Sequence, residues 1–349
     1  MKLKKEVFGI LDGQEVIEYT LQNSHDLSLS VISYGGIITK INMPDLNGKI
    51  EGVTINVDNL DEIVTNRPFH GALIGPVTGR ISNGHYLEDD KKIQLDQNEG
   101  ENTLHSGEKG FDNRLWTVET DEEDDKITLI LTSEFKDGEG GFPGNVDVTV
   151  YYSLNEAGEV TIRYEAKTDK TTLFNPTNHV YFNLSGNNKE PIYHHEFALA
   201  SDYYAVLDEQ NLPTGELKAV EQTAFDFREA KTLNRLLEAT DEQITSREGL
   251  DHPFLLKQDK LNDAAKLYHP DSGRLLEMST KSDAVVVYTH NHEQKTADNA
   301  TTLFGKHSGI ALETSALPDA VNHKDFGSIW LEPNDLFSVE TTYKFSLHE

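Results

Sequence analysis

Alternating apolar and polar residues run through most of the chain and indicate β-strands. In residues 146–154 every second residue, starting with Val146, is apolar, and residues 160–166 repeat the pattern. The short polar segment 155–158, which ends in glycine, separates the two runs, and residues 127–131 begin a similar run upstream. Two alternating runs joined by such a turn predict an antiparallel hairpin with one wet face.

Helical spacing is rare, whereas turn signals are frequent. Leucines in residues 228–239 are spaced as on one face of a helix, so we predict a short helix there. Clusters of Gly, Asn, Asp and Pro punctuate the rest of the chain. Many short strands with frequent turns are typical of all-β sandwiches and barrels, and we see no linker-like tract. We therefore predict a single domain over residues 1–349.

Charge and cysteine content narrow the classes of partner and site. The chain has 31 Lys and Arg against 60 Asp and Glu, a net charge of -29 at pH 7. Nucleic acids and anionic membranes are bound by clustered Lys and Arg, so we expect neither as a partner. The same balance disfavours a phosphorylated substrate unless a local basic pocket overrides it. The absence of cysteine rules out disulfides, thiolate metal ligands and a cysteine nucleophile.

The N-terminal residues and the hydropathy pattern bear on the compartment. The basic residues near the start are not followed by a long apolar stretch, so we expect no signal peptide. No apolar run approaches the roughly 20 residues that span a bilayer. The default expectation is a cytoplasmic protein.

The segment 175–184, Asn-Pro-Thr-Asn-His-Val-Tyr-Phe-Asn-Leu, is the richest in candidate chemistry. His179 stands where its polar lead-in meets a strand-like run. Nearby amides could fix the orientation of the ring, which a proton donor requires. A structural histidine at the start of a strand fits the same pattern, and the segment alone does not decide between the two.

Glu313 ends an apolar, strand-like run. In residues 309–314, Ile310 and Leu312 would share one face of a strand, and Ala311 and Glu313 the other. A carboxylate there lies either at a wet rim or in a pocket, where loss of water raises its pKa unless donors stabilise the anion. Glutamates are mostly exposed, so a surface position is the commoner case for a lone example.

Two further charged residues suit the binding of hydroxyl groups. Asp251, in Leu-Asp-His-Pro-Phe, could accept from sugar hydroxyls or orient a histidine, and a turn-capping role is the alternative. Arg80, in Gly-Arg-Ile, could donate two parallel hydrogen bonds through its planar fork, and a surface cation is the alternative. For either residue considered alone, the alternative role (a turn cap for Asp251, a surface cation for Arg80) is the more common one.

Three other segments resemble known types of functional site but lack features that those sites require. Segments 194–196, His-His-Glu, and 290–292, His-Asn-His, contain metal-binding residue types, but neither supplies a full set of ligands. The glycine-rich segment 138–144 precedes no helix pattern, so we expect a loop near a ligand rather than a phosphate cradle. Ser308 lacks the Gly-x-Ser-x-Gly setting of a hydrolase nucleophile.

Taken in order, these motifs resemble the aldose 1-epimerase (galactose mutarotase) family, from about Tyr34 to Asn322. The most specific is segment 175–184. The other motifs are individually less specific, and it is their order along the chain that supports the resemblance. They are Gly79-Arg80-Ile81, Asn102-Thr103-Leu104-His105, Gly141-Phe142-Pro143-Gly144, Leu250-Asp251-His252-Pro253-Phe254 and Ala311-Leu312-Glu313-Thr314.

The resemblance implies a fold, an activity and a role for each site residue. The fold would be a large antiparallel β-sandwich with the site in a wide cleft. Glu313 would be the general base and His179 the general acid, with His105 near the ring oxygen. Arg80 and Asp251 would bind hydroxyls of a free aldose. No cofactor and no metal would be needed to interconvert the α and β anomers. Glu313 would be ionised and His179 protonated in the resting enzyme.

Three departures from the family pattern bear on sugar preference. Ser106 stands where a glycine is frequent, Ser315 where a glutamine is frequent, and His290 where a small residue is usual. Galactose, glucose, maltose and a hexose phosphate all remain candidate substrates, and the oligomeric state is open.

Two rival functions fit the same residues. In a glycoside hydrolase, Glu313 and Asp251 would form a carboxylate pair across a glycosidic bond. A non-catalytic carbohydrate-binding protein would bind sugar without accelerating anomer exchange.

Overall fold

The structure, a computed structural model, describes residues 1–348 and is built mainly from antiparallel strands, which are numbered here along the chain. The N-terminal region forms a five-stranded sheet in which each strand pairs with the next. Its strands are β1 (Lys2–Leu11), β2 (Gln14–Gln22), β3 (Ser28–Ile32), β4 (Ile38–Pro44) and β5 (Ile50–Gly52).

Two larger sheets form the body of the protein. The nine-stranded sheet has the spatial order β12 (Thr117–Glu122), β13 (Lys126–Phe135), β14 (Val146–Asn155), β15 (Glu159–Thr168), β31 (Phe337–Leu347), β25 (Arg274–Thr280), β24 (Ala265–His269), β19 (Glu196–Leu199) and β22 (Lys231–Thr232). The seven-stranded sheet has the order β21 (Pro213–Ala219), β20 (Ser201–Leu207), β23 (Asp251–Leu256), β26 (Ala284–Tyr288), β29 (Ile310–Ser315), β18 (Tyr181–Phe182) and β6 (Thr54–Ile55).

The remaining elements are short. Five two-stranded ladders pair β7 (Leu73–Ile74) with β17 (Thr177–Asn178), β8 (Arg80–Ile81) with β11 (Thr103–Leu104), β9 (His85–Glu88) with β10 (Lys91–Gln94), β16 (Thr172–Leu173) with β30 (Trp330–Leu331), and β27 (Gln294–Lys295) with β28 (Thr302–Phe304). The α-helices are α1 (Leu60–Asn66) and α2 (Glu242–Thr245). The 3₁₀ turns are Ser82–Gly84, Gly107–Lys109, Phe111–Asn113, Glu139–Gly141, Ile192–His194, Leu233–Leu237, Gln258–Asp263, Ala320–Asn322 and Lys324–Phe326. Within residues 1–348, no helix is long and apolar enough to cross a membrane.

The two larger sheets pack face to face, which confirms the antiparallel β-sandwich. The rings of Phe182 on β18 and Tyr343 on β31 lie 5.0 Å apart. The hydroxyls of Thr314 on β29 and Thr341 on β31 hydrogen-bond at 2.6 Å. Because buried side chains from near both ends of the chain, such as Leu29 and Phe345, belong to one core, we propose that residues 1–349 form a single domain.

The predicted hairpin is present, and its register follows the alternation. β14 pairs with β15 so that Leu154 lies opposite Val160 and Val150 opposite Tyr164. All four side chains are buried. Period-two burial on paired strands is what a sheet with one core face requires.

The helix predicted for residues 228–239 is wrong. Lys231 and Thr232 instead pair with β19 as the edge strand β22, and only a 3₁₀ turn, Leu233–Leu237, follows. Leu233 is buried, whereas Leu237 is 57% exposed, so the leucines do not share a buried face. Without that face a short helix gains too little packing to form.

The glycine-rich segment 138–144 is a loop, but it does not line the cleft described below. A Cβ atom at Gly141 would come within 2.4 Å of the backbone oxygen of Gln94. The ring of Phe142 is buried against Phe135. The glycines therefore permit close chain packing beneath the surface, and the expectation of a ligand-facing loop is wrong.

Candidate active site

One large cleft collects the five residues to which the sequence assigned a catalytic or sugar-binding role. Its volume is about 630 Å³, within the usual range for small-ligand sites. Arg80, His105, His179, Asp251 and Glu313 all line it. They come from short strands and loops that are far apart in the chain, and the seven-stranded sheet supplies the floor.

Glu313 projects from the middle of the floor because of the alternation along β29. Thr314 reaches Thr341 on the opposite sheet, so its neighbour Glu313 faces the cleft. Glu313 pairs in register with Val286 of β26, which also lines the cleft. The side chain is 6% exposed. The pocket position, rather than the wet rim, is therefore the one observed.

His179 lies directly beside this carboxylate. Its Nε2 atom is 3.3 Å from Oε1 of Glu313, and its side chain is 7% exposed. Backbone hydrogen bonds between His179 and the segment at Gly71 and Ala72 hold the chain in place. The imidazole packs beside the ring of Tyr181, with centroids 4.9 Å apart. Within residues 1–348 no amide side chain bonds to this ring, so aromatic packing positions it instead of the expected amides.

Burial shifts the pKa values of this pair in opposite directions. Loss of water raises the pKa of Glu313 to about 8, assisted by the negative charge of Asp251 and opposed by Arg80. Loss of water also lowers the pKa of His179 to about 4. Both shifts favour the uncharged forms, the reverse of the ionised Glu313 and protonated His179 expected from the sequence. The mutual attraction of the two charges at 3.3 Å acts in the opposite direction.

His105 is held as a neutral hydrogen-bond donor. The backbone N–H of Gly79 donates to its Nδ1 atom at 3.2 Å. Because Nδ1 accepts, the proton of the neutral ring is on Nε2. Burial and the nearby His179 and Arg80 lower the pKa of His105 well below its usual value. The ring stands edge-on to His179, with centroids 5.5 Å apart.

Arg80 and Asp251 form the polar side of the cleft. Arg80 donates from Nε and Nη2 to the two carboxylate oxygens of Glu99, at 2.6 and 2.8 Å. This bidentate pairing fixes the plane of the guanidinium group. Burial raises the pKa of Asp251, while Arg80 and Arg247 lower it. His252, next to Asp251, faces away from the cleft and packs against Phe225.

Aromatic residues complete the walls, and of these the sequence singled out only His290, as a departure from the family pattern and in a segment with metal-binding residue types. The wall residues are Phe69, His70, Tyr181, Tyr288 and His290. His70 packs against both Tyr181 and His290, with centroids 4.7 and 5.3 Å apart. Tyr181 lies inside the long motif and alternates with the core residue Phe182. This alternation is the signal that could have placed Tyr181 on the cleft side of its strand. Phe69 and His70 stand in a loop without a periodic pattern.

Within residues 1–348, two groups of histidine and carboxylate side chains have donor atoms close enough to hold a metal ion. One is His105, His179 and Glu313 in the cleft; the other is Glu190, His269 and Asp271, outside it. Neither coincides with the segments 194–196 and 290–292 that the sequence suggested.

Comparison with known proteins shows the family. The sequence model of the family described as aldose 1-epimerase matches residues 18–344. The chain belongs to this family. It is 36% identical to the galactose mutarotase of Rattus norvegicus over 99% of both chains. It is 33% identical to the aldose 1-epimerase of Escherichia coli K12 over 96% of both.

Solved structures support the same assignment. The galactose 1-epimerase of Lactobacillus acidophilus superposes with a TM-score of 0.89 at 30% identity, covering 100% of both chains. An aldose epimerase homologue from C. elegans superposes at 0.85 with 23% identity, which shows the shared fold. As a member of the aldose 1-epimerase family the protein is an isomerase.

Only one of the three departures from the family pattern faces the cleft. The hydroxyl of Ser106 donates to the Val77 carbonyl and accepts from the Val77 N–H, behind the cleft wall. The hydroxyl of Ser315 donates to the carbonyl of Ala316. His290 does line the cleft. Its Nδ1 donates to the carbonyl of Gly305 at 3.0 Å, so Nε2 carries the lone pair of a neutral ring.

Proposed function

We propose that the protein interconverts the α and β anomers of a free aldose by opening and closing its ring. The observation that carries this proposal is the adjacent Glu313 and His179 pair at the centre of a polar, aromatic-walled cleft. An aldose hemiacetal needs one base and one acid acting on two oxygens of the same ring. A carboxylate beside an imidazole supplies that pair, each group being worth roughly 10²–10⁴-fold when well placed.

The proton transfers follow from the hemiacetal. Glu313 takes the proton of the C1 hydroxyl while His179 delivers a proton to the ring oxygen, and the C1–ring oxygen bond breaks. The resulting aldehyde rotates about C1–C2, and closure onto the other face returns both protons. The donor Nε2–H of His105 is suited to hold the ring oxygen in place. No proton or electron is gained or lost overall.

The sugar passes one proton from His179 to Glu313 on ring opening and back on closure, so the reaction is reversible at a low cost in free energy. The starting state is an ionised Glu313 with a protonated His179. Ring opening converts it to a neutral carboxyl and a neutral imidazole, which are the forms that burial favours. The desolvated cleft therefore stabilises the state with the open-chain sugar relative to the starting ion pair. Hydroxyl groups of the bound sugar can donate to Glu313 and offset the cost of its charge.

Sugar orientation would be set by the polar side of the cleft. Arg80 presents a fixed guanidinium group and Asp251 a partly buried carboxyl group, a donor and an acceptor for neighbouring hydroxyls. The lone pair on Nε2 of His290 offers a further acceptor. Galactose and glucose are the proposed substrates, with maltose a third to test. A cytoplasmic location remains a prediction from the sequence.

Polarimetry of freshly dissolved α-D-galactose, α-D-glucose and maltose tests the proposal. We expect the rotation to reach its equilibrium value faster with the enzyme than without it. Chromatography of the maltose sample separates the hydrolase alternative, since an epimerase releases no glucose. Binding of sugar with no acceleration for any of the three would instead indicate a non-catalytic binding protein.

A further inference from the structure

His70 is a buried residue of the cleft wall whose ring nitrogens have no partner in the protein. It is 4% exposed, and its ring packs against the rings of Tyr181, His290 and Phe304, with centroids 4.7, 5.3 and 5.4 Å away. Within residues 1–348 neither nitrogen makes a hydrogen bond, and Nδ1 is fully enclosed. Buried polar groups normally have at least one partner, so the role of this imidazole needs an explanation.

The enclosure of Nδ1 determines which nitrogen can serve a ligand. Burial and the nearby His290 and His179 lower the pKa of His70 well below its usual value, so the ring is neutral. A neutral imidazole has one N–H group and one lone pair. Because orphaned buried N–H groups are rarer than orphaned acceptors, the lone pair belongs on Nδ1 and the proton on Nε2. Nε2 of His70 is then a donor without an acceptor in the protein.

His290 presents the complementary group. Its Nδ1 donates to the carbonyl of Gly305, which leaves Nε2 as an acceptor. With ring centroids 5.3 Å apart, one ligand oxygen can lie within about 3 Å of both Nε2 atoms. A hydroxyl group both donates and accepts, whereas a carboxylate only accepts and an ammonium group only donates. The two rings therefore match a hydroxyl group best.

The backbone on both sides of this pair is strained. Phe69, which precedes His70 in the chain, has a φ of 61°, and His290 has a φ of 49°. Both residues line the cleft. Positive φ is unusual for bulky residues, and such strain is concentrated at functional sites, where it holds side chains in place. The strain is thus a second, independent observation that this end of the wall serves a ligand.

The register of the seven-stranded sheet places His70 far from Asp251. Asp251 on β23 lies opposite Tyr288 on β26. Tyr288 in turn lies opposite Ala311 on β29, which lies opposite Tyr181 on β18. At about 4.8 Å per strand this row is about 14 Å long, with Asp251 at one end and Tyr181, the neighbour of His70, at the other. The catalytic carboxylate is on β29, between the two ends, so Asp251 and His70 can meet different edges of one sugar ring.

We propose that His70 and His290 together bind one hydroxyl group of the aldose, on an edge of the ring other than the one held by Asp251. Nε2–H of His70 donates to the hydroxyl oxygen, and the hydroxyl proton is donated to Nε2 of His290. His70 is thus a specificity-determining residue that acts through substrate binding and not through proton transfer. This inference rests on the proposed function in that the ligand is a free aldose.

Deoxygenated sugars test the pairing. The measurement is kcat/KM for mutarotation of D-glucose and its 2-, 3-, 4- and 6-deoxy analogues, with wild type and with His70→Phe, which keeps an aromatic ring but removes both nitrogens. A neutral hydrogen bond is worth roughly 2- to 12-fold, so we expect His70→Phe to lower kcat/KM by that factor, mainly through KM. The one exception should be the analogue that lacks the bound hydroxyl, for which variant and wild type should agree.

Two further variants separate binding from packing. His70→Gln, whose amide can donate from near the place of Nε2, should restore part of the discrimination against that analogue. Phe304→Leu is the matched control, because Phe304 packs against His70 without lining the cleft. It should change kcat/KM for all five sugars by the same factor. An equal loss for all five sugars in His70→Phe, or no loss for any, would overturn the proposal.

Affinity measurements keep this proposal distinct from the proposed function. Calorimetric Kd values for the same five sugars, compared between Glu313→Gln and the double variant Glu313→Gln/His70→Phe, report binding without turnover. Absence of mutarotation by wild type would reject the proposed function alone. The role of His70 would then be decided by Kd: a loss of affinity for every sugar but one supports it, and a uniform loss or none contradicts it.

Discussion

Nε2 of His179 lies 3.3 Å from Oε1 of Glu313, and both side chains are at least nine-tenths buried. At this separation the two groups can share one proton. Burial raises the pKa on the Glu313 side to about 8 and lowers that of His179 to about 4. Between these values the pair holds one proton, the number that ring opening requires.

The first prediction concerns pH. We expect kcat/KM for mutarotation to follow a bell, falling above about pH 8 as the pair loses its proton and below about pH 4 as it gains a second. Buffer-extrapolated polarimetric rates across this range give the profile. A flat profile from mildly acid to alkaline pH would contradict shared proton transfer by this pair.

The second prediction concerns the fixed guanidinium group. Arg80→Lys keeps the charge but loses the bidentate geometry held by Glu99. A lost hydrogen bond to a charged group is worth about 1.5–3 kcal/mol, so we expect kcat/KM to fall roughly 10- to 100-fold, mainly through KM. Glu99→Gln, which leaves Arg80 in place but weakens its support, should cost less. A larger effect from Glu99→Gln in steady-state kinetics would argue against direct sugar binding by Arg80.

The third prediction separates two departures from the family pattern. His290→Ser removes an acceptor from the cleft, and one neutral hydrogen bond of about 0.5–1.5 kcal/mol corresponds to a change of roughly 2- to 12-fold. We expect the ratio of kcat/KM for galactose and glucose to change by that amount. Ser106→Gly should leave the ratio unaltered, because its hydroxyl serves Val77, but should cost about 1–3 kcal/mol of stability. The opposite ranking of the two variants would refute this assignment.

The fourth prediction concerns a buried ion pair that joins the first sheet to the sandwich. Arg274 is fully buried and donates to Glu51 at 3.2 Å. Burial alone would raise the pKa of Glu51, but hydrogen bonds from Lys189, Lys49 and Arg274 outweigh it and lower that pKa to about 2. The stability gained from this charge is present above the usual glutamate pKa and is lost as the pH falls towards 2.

Arg274 also donates to the carbonyls of Leu184, Met43 and Lys49, so its removal takes a donor from these buried acceptors and leaves Glu51 to its two lysine partners. Arg274→Met should therefore lower the free energy of unfolding at pH 7 by about 3–5 kcal/mol, measured by urea denaturation. Lys281→Met is the matched control, because Lys281 pairs with Glu340 at the surface and should cost less than about 1 kcal/mol. Equal losses in the two variants would contradict the assigned role of burial.

The sequence predicted strands and their faces best where alternation is long and regular. The hairpin of β14 and β15 and the inward face of Leu312 follow directly from period-two burial. The helix predicted at residues 228–239 failed because edge pairing to β19 competed with weak helical spacing. Pairing between strands that are distant in sequence cannot be predicted from the local pattern of residues.

The candidate site was likewise predictable only in part. Arg80, His105, His179, Asp251 and Glu313 were selected from motif order, and the fold brings all five to one cleft. Their protonation was not predictable, because the pKa values depend on burial and on neighbours distant in sequence. The role of the Ser106 hydroxyl, which bonds to the Val77 backbone behind the cleft wall, and most of the aromatic wall were also hidden, since both depend on which face of a loop meets the cleft.

The most direct test of the account compares mutarotation by wild type, Glu313→Gln and His179→Asn, with folding checked by circular dichroism. We expect each variant to lose roughly 10²–10⁴-fold in kcat. The double variant should lose far less than the product of the two single losses, because the groups act as a unit. Wild-type rates of α-D-galactose and α-D-glucose mutarotation in a folded Glu313→Gln variant would contradict the central claim that this carboxylate is the base.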